Sequence, residues 1–245
     1  MKNSFQKDLF IGLSHRGNSK KFIENSFEAF NSVIQMGYKY IETDLRMTLD
    51  RKVIAFHDPD LKRLFELDLQ VRDLTFKEID NLFKEKNCSL LTLEDALKKF
   101  PDTYFNIDLK VKDVVQDSIK VVAELNAFER VCFASFHSSH TEKVLHRNQN
   151  AIVSMGMKDV ALFKFFKLYN KDIKIIQIPL RWKGIKVLTR NLIQKADKSN
   201  LLVHVWTVND RDTINNLIDV GVDGIVTDEP ELLMEVMKER DLISD

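Results

Sequence analysis

The chain has 245 residues, 44% of them apolar, and its 37 basic and 37 acidic side chains cancel. Zero net charge leaves no global basic field and argues against a nucleic-acid partner, although a few residues can still set a local field for a small anion. Two cysteines imply no disulfide framework, and no apolar run reaches the ~18 residues that a membrane span needs. The N-terminal stretch lacks the apolar core of a signal peptide, so a cytoplasmic protein is expected. One domain over residues 1–245 is expected too, because a (β/α)8 barrel takes about 250 residues.

In chain order, Leu9 to Ser14 reads as strand one, ending in His15-Arg16-Gly17. Apolar residues at Phe27, Phe30, Val33 and Ile34 predict a helix, with Asn25 as its N-cap and Gly37 as its stop. Tyr40 to Leu45 is strand two. Val53 to His57 is a short extra strand, and residues 50–91 have room for a modest cap over a site. Thr75 and Thr92 each start a helix. Tyr104 to Leu109 is strand three, followed by a helix over Val114 to Leu125. Arg130 to Phe136 is strand four, with the apolar neighbours of Cys132 predicting a buried thiol, and Ser138 to Arg147 is a helix. Ala151 to Met155 and Ile173 to Ile178 are strands five and six, with a helix over Val160 to Leu168 between them. A helix over Val187 to Lys198 leads to strand seven, Leu201 to Trp206. A helix capped by Asn209 leads to strand eight, Gly224 to Val226, and Pro230 to Lys238 is the last helix. Eight strand–helix units with continuously apolar strands predict an α/β fold, a single parallel TIM barrel. An open sheet would have fewer units, and no glycine-rich phosphate turn follows strand one.

Barrel chemistry sits at the C-terminal strand ends, and the unusual polar residues fall there. Glu42 and Asp44, two apart in one strand, put both carboxylates on one face. A divalent cation would convert their repulsion into binding. His15 and Arg16 end strand one, His57 closes the extra strand, Asp108 and Lys110 end strand three on the face of Asn106, and Ser135 ends strand four. Trp206 closes strand seven and Asp228 follows strand eight. Taken singly, Arg16 reads as a surface ion-pair partner and the two histidines as loop or capping residues. Trp206 reads equally well as filler of the barrel mouth. His204, deeper on the same face as Trp206, reads as a core histidine, and His137, His140 and His146 as solvent-facing.

Several segments resemble the glycerophosphodiester phosphodiesterase family: His15-Arg16-Gly17, Glu24-Asn25-Ser26, Glu42 with Asp44, and His57-Asp58. Further matches are Thr92-Leu93-Glu94, Asn106-Ile107-Asp108-Leu109-Lys110, Ser135-Phe136, Val205-Trp206-Thr207-Val208-Asn209, and the run from Gly221 through Asp228 to Pro230. The resemblance covers nearly the whole chain, in order. It implies a TIM barrel that cleaves a small-molecule glycerophosphodiester to sn-glycerol 3-phosphate and an alcohol. It implies one divalent cation, Mg2+ or Ca2+, on Glu42, Asp44 and Asp108. His15 and His57 become the acid/base pair, with His15 as first base and a cyclic phosphate between the two steps. Arg16 and Lys110 become phosphate contacts, and Trp206 a contact on the alcohol side.

The family's third acid is usually glutamate. Asp108 is one methylene shorter, so the ion must shift or a water must bridge; magnesium tolerates such distortion poorly and calcium accepts variable geometry, which leaves the identity of the ion open. A lysophospholipase D on the same barrel is the nearest rival, and an apolar groove would mark it. Phe163, Phe165 and Phe166 are candidates for its wall, but core packing of their helix is the expected role. A catalytically impaired phosphodiester-binding barrel is the rival from another class. An isomerase or class I aldolase lacks its glycine-rich phosphate loop and its Schiff-base lysine here.

Overall fold

The computed structural model describes residue 5 and residues 10–243. Eight parallel strands run along the chain: β1 (Ile11–His15), β2 (Tyr40–Met47), β3 (Tyr104–Leu109), β4 (Val131–Ala134), β5 (Ile152–Val153), β6 (Ile175–Pro179), β7 (Leu202–Trp206) and β8 (Gly224–Thr227). Their hydrogen-bonded order is β5-β4-β3-β2-β1-β8-β7-β6. The two ends meet through a parallel bridge between Ser154 and Ile175, where the Met155 N–H donates to the Ile175 carbonyl at 2.9 Å. The expected eight-stranded barrel is therefore the fold. The expected start of strand one, Leu9, lies outside the described residues.

Alternate residues of each strand face the barrel axis. At the N-terminal end this interior is apolar, with Ile11, Leu13, Cys132, Ile152, Ile175 and Val226 packed together. Phe5 and the stacked rings of Tyr40 and Tyr104, 4.9 Å apart, close the bottom. The opposite strand faces pack Ile41, Leu45, Phe105, Ile107 and Phe133 into the main core. Moving up the axis, the same alternation delivers Glu42, Asn106 and His204, then Asp44 and Asp108 in direct register. Polarity inside the barrel thus rises toward the C-terminal ends of the strands.

Two asparagines do not act as the caps their positions predict. Ser26 caps the helix Phe27–Gln35, accepting from the Ala29 N–H at 3.1 Å. Asn25 instead takes a left-handed backbone at φ 61°, which asparagine tolerates better than most residues. Asp210, not Asn209, caps Arg211–Asp219. Both displaced asparagines serve the site described below. Phe76–Glu85 has the full capping box of Thr75 and Glu78, and Thr92 caps Leu93–Lys99. Strand five is shorter than expected at two residues. The helix expected from Val187 begins at Arg190, capped by Thr189. A small antiparallel hairpin, Arg181–Trp182 with Ile185–Lys186, occupies the segment before it and was not foreseen.

Residues 50–91 do not cap the site. Val53–Ala55 pairs antiparallel with the end of β2. The helices Lys62–Phe65 and Phe76–Glu85 then enclose a satellite core of Ile54, Phe56, Leu61, Ile79, Phe83 and Leu90 beside the barrel. This segment is fastened by its own apolar residues, so it props the strand end that carries His57 instead of covering the cavity.

Candidate active site

A cavity of about 460 Å³ opens at the C-terminal ends of the strands. His15, Arg16, Glu42, Asp44, His57, Asp108, Lys110 and Trp206 all line it. Sequence spacing puts these eight residues at one end of the barrel, and closure of the sheet brings them around one cavity, with Trp206 facing the acids across it.

The His15-Arg16-Gly17 turn is shaped by backbone conformation. Arg16 and Gly17 both have positive φ, 60° and 77°. A Cβ at residue 17 would lie 2.6 Å from the Ala29 carbonyl carbon, so only glycine fits. The Arg16 N–H donates to the Glu42 carbonyl, and the Asn25 N–H to the Arg16 carbonyl, each at 2.9 Å. So held, the Arg16 guanidinium reaches Asp44 Oδ2 with Nε at 2.8 Å and Glu24 Oε1 at 3.0 Å. Thr43 donates to Asn25 Oδ1 at 2.8 Å, and Asn25 Nδ2 approaches Asp44 Oδ2 at 3.5 Å. Lys110 bridges Asp44 and Asp108, 2.8 Å from Asp44 Oδ1 and 2.6 Å from Asp108 Oδ2.

Each histidine is clamped by a carboxylate. His15 Nδ1 lies 2.5 Å from Asp228 Oδ1, and His57 Nδ1 lies 2.7 Å from Asp58 Oδ1. A carboxylate only accepts, so Nδ1 carries the proton and Nε2 is left for chemistry. Asn209 fixes Asp228, donating from Nδ2 to Oδ2 and accepting the Asp228 N–H, both at 2.9 Å. Arg63 fixes Asp58 at 2.6 Å and also reaches Glu24, at 2.6 and 2.9 Å. A continuous chain of charges therefore links His57 to Arg16. Arg46 Nε donates to the His57 carbonyl at 2.8 Å, pinning the strand end.

The wall is electrostatically divided. Burial raises the Glu42 carboxyl, with the Asp44 charge adding, to about 8. Burial works on Asp44 in the same sense, but Lys110 and Arg16 outweigh it and hold Asp44 below the usual range. Burial raises Asp108 despite Lys110. The histidines part company. Burial disfavours a charged His15, yet the Asp228 hydrogen bond and the Glu42 charge prevail and raise it. Burial lowers His57, with Arg16 and Lys110 adding to it against the pull of Asp44.

The sequence assigns no part in holding the histidines to Asp228, Asp58, Glu24, Arg63 or Asn209, and Asn209 is expected only as a helix cap. The sequence signals for Asp58 are its position directly after a strand-end histidine and the resemblance of His57-Asp58 to the family. Arg63 carried no signal, because its contact with Glu24 spans 39 positions. His140 is a correction: it is buried, with Nδ1 3.1 Å from Ser135 Oγ and 3.2 Å from the Leu109 carbonyl. It sits on the inner face of its helix, while His137 and His146 are exposed as expected. His204 is fully buried in the interior, with Gln177 between it and Asn106. Phe165 and Phe166 are a second correction, since only Phe163 of the three is buried. Phe136 stands edge-on to Trp206, with ring centroids 5.6 Å apart, and these rings begin an apolar wall opposite the acids.

The acids at the strand ends offer oxygen donors to a cation. Glu42 Oε2 and Asp108 Oδ1 are buried without a hydrogen-bond partner. Orphaned carboxylate oxygens of this kind are costly unless an ion or proton meets them. Oxygen donors also suit a hard divalent ion, so the donor set fits. Among the described residues no three acids, histidines or cysteines are yet grouped closely enough to hold one. An ion on Glu42, Asp44 and Asp108 would compete with the Lys110 ammonium for two of them.

The chain is similar in sequence and fold to several known proteins. The chain is 30% identical over 241 residues to a protein named probable glycerophosphodiester phosphodiesterase 2 of Mycobacterium tuberculosis, covering 94% of this chain and 91% of that protein. It is 25% identical to the human protein named lysophospholipase D GDPD1, covering 95% and 87%. The crystal structure of glycerophosphodiester phosphodiesterase from Thermotoga maritima superposes with a TM-score of 0.75 at 25% identity, covering 93% of this chain and 98% of that one. The sequence profile of the glycerophosphoryl diester phosphodiesterase family matches residues 15–232, from the first catalytic-end histidine to the last helix. The chain belongs to the glycerophosphoryl diester phosphodiesterase family and is a phosphoric diester hydrolase.

Proposed function

We propose that the chain hydrolyses glycerophosphodiesters to sn-glycerol 3-phosphate and an alcohol with the help of one divalent cation, His57 and His15 sharing the proton transfers. The observation that carries this reading is the pair of carboxylate-clamped histidines on one cavity wall with three acids and two bases. The opposite pKa shifts favour His57 as first base and His15 as first acid, the reverse of the order expected from sequence. The glycerol hydroxyl next to the ester gives its proton to His57 Nε2 and attacks phosphorus. The departing alcohol takes a proton from His15, leaving a cyclic phosphate. Water opens that ring with the two histidines in exchanged roles.

Arg16 and Lys110, which line the cavity beside the acids, would contact the phosphate. Lys110 has one N–H beyond the two it gives to Asp44 and Asp108. Glu42, Asp44 and Asp108 would hold the cation. Bound there, it would offset charge on the phosphoryl oxygens. Magnesium or calcium fits the oxygen donors, and the shorter Asp108 favours calcium.

The test is release of glycerol 3-phosphate from glycerophosphocholine and glycerophosphoethanolamine, followed with magnesium, calcium or chelator. Cation-dependent release that disappears in Glu42→Gln is expected. Release that persists in chelator would sink the cation reading. A second substrate class is favoured by the far wall, where Phe136, Met155, Met157, Phe165, Trp182 and Ile185 line the same cavity. A lysophospholipid keeps the free hydroxyl that the cyclic route needs and adds an acyl chain for this wall. Choline release from lysophosphatidylcholine faster than from glycerophosphocholine would assign the chain to that class.

A further inference from the structure

The helix Met157–Phe166, MKDVALFKFF, buries a single side chain, Phe163. Its outer end and the residue beyond leave Phe165 70%, Phe166 68% and Leu168 61% exposed. Beside the cavity mouth, the hairpin of Arg181–Trp182 and Ile185–Lys186 leaves Ile185 69% and Trp182 36% exposed. Lys164 ties the two pieces together, donating to the carbonyls of Lys186 at 2.9 Å and Val187 at 3.0 Å. Phe165, Trp182 and Ile185 also line the cavity, so the apolar surface runs without a break from outside into the active site. A surface helix that is apolar on nearly all sides lacks the polar face that water requires, and a contiguous exposed patch of this kind marks a binding surface.

Charge says what the partner is. Residues 157–190 hold nine lysines and arginines against two acids, in a chain whose net charge is zero. Arg181, Lys167, Lys183 and Lys186 are exposed around the apolar side chains. A second copy of the chain would bring two such basic rims together across a symmetric interface, and they would repel. A nucleic acid would meet phenylalanines at the centre of the patch. An anionic bilayer satisfies both features: bulky apolar side chains enter the headgroup boundary, and lysines around them meet lipid phosphates. We propose that the helix Met157–Phe166, the residues through Leu168 and the hairpin form a lip that docks on the surface of an anionic phospholipid bilayer, setting the cavity mouth against the lipid. The proposal rests on the exposed surface and holds whichever diester the site cleaves.

The test is flotation of the full chain with vesicles of phosphatidylcholine alone, or with about a quarter phosphatidylglycerol, in chelator so that binding is read without turnover. Binding to the anionic vesicles only, released at high salt, is expected. Lys167→Glu with Lys186→Glu should weaken partitioning by about 30-fold or more, since each lysine near an anionic surface is worth about a factor of 5. Phe166→Ser with Leu168→Ser should weaken it by about 10-fold or more. None of these four residues lines the cavity, so both variants should cleave glycerophosphocholine at the wild-type rate. Three outcomes would overturn the proposal. The wild-type chain could fail to float, or both variants could float as well as wild type. Sedimentation could also show a self-association that Phe166→Ser with Leu168→Ser dissolves, with no vesicle binding, which would make the patch an interface between copies.

Discussion

The two walls of the cavity obey different rules. The wall built on the ends of β1, β2 and β3 is a network of charge: Arg16, Lys110, Asp44, Glu24, Asp58 and Arg63 are paired at 2.6–3.0 Å, and Glu42 and Asp108 each keep one buried oxygen without a partner. The wall built from Phe136, the helix Met157–Phe166 and the hairpin has few polar groups and leaves large apolar side chains in water. On the first wall, position is fixed to within a hydrogen bond, as proton transfer requires. On the second, burial of area is what counts, and it is non-directional. Under the proposed function, the first wall would carry the chemistry and the second would meet the substrate's bulk.

The largest effect should come from breaking the polar wall at its reactive atoms. His57→Ala or His15→Ala should each cut kcat by about 100- to 10,000-fold while the circular dichroism spectrum stays native. Near-normal turnover in either would remove the two-histidine scheme. Next comes the clamp. Asp228→Asn can still hydrogen-bond His15 but no longer supports its positive charge. It should lower kcat by roughly 10-fold and move the basic limb of the pH–rate profile to lower pH. A loss of rate without that movement would reduce Asp228 to a structural prop.

The apolar wall should answer more gently and selectively. Phe136→Ser removes a ring that packs on both Trp182 and Trp206, at 5.8 and 5.6 Å. Its kcat/KM for lysophosphatidylcholine should fall by about 10-fold, in keeping with one lost aromatic contact, while that for glycerophosphocholine changes little. An equal fall for both substrates would show that the wall supports the acids and does not read the chain.

The smallest effect on turnover lies beneath both walls, where the change is in stability. His204 is completely buried, and burial holds its pKa at about 4, against 6.5 in the unfolded chain. Between those values the unfolded chain binds the proton that the folded one refuses. Stability from this group is therefore complete above pH 6.5 and lost as pH falls toward 4. The full loss is about 3 kcal/mol. Denaturant midpoints at neutral and acid pH should separate less in His204→Phe than in wild type. Equal separations would mean that the ring is hydrated or protonated in the fold.

Much of this was legible in the chain. Strand periodicity and eight repeats were enough for the barrel, because a parallel sheet must be apolar on both faces and only closure accommodates eight such units. The i, i+2 rule put Glu42 with Asp44 and Asp108 with Lys110, and the barrel keeps those faces. Helix caps were less legible. Asn25 and Ser26 are both good caps, as are Asn209 and Asp210. Which member caps depends on what the other can reach, Thr43 and Asp44 in one case and Asp228 in the other. Those partners stand 18 or 19 positions away.

The sequence by itself determined the fold class and the end of the barrel at which its unusual polar side chains gather. Both follow from local periodicity and residue type. Only the tertiary structure decided which carboxylate clamps which histidine, which direction each histidine shifts, and that Phe165 and Phe166 stay outside the core. These depend on through-space distances between residues as far apart as His15 and Asp228, 213 positions along the chain. Electrostatic energy and burial are set by separation in space, and sequence separation does not encode it.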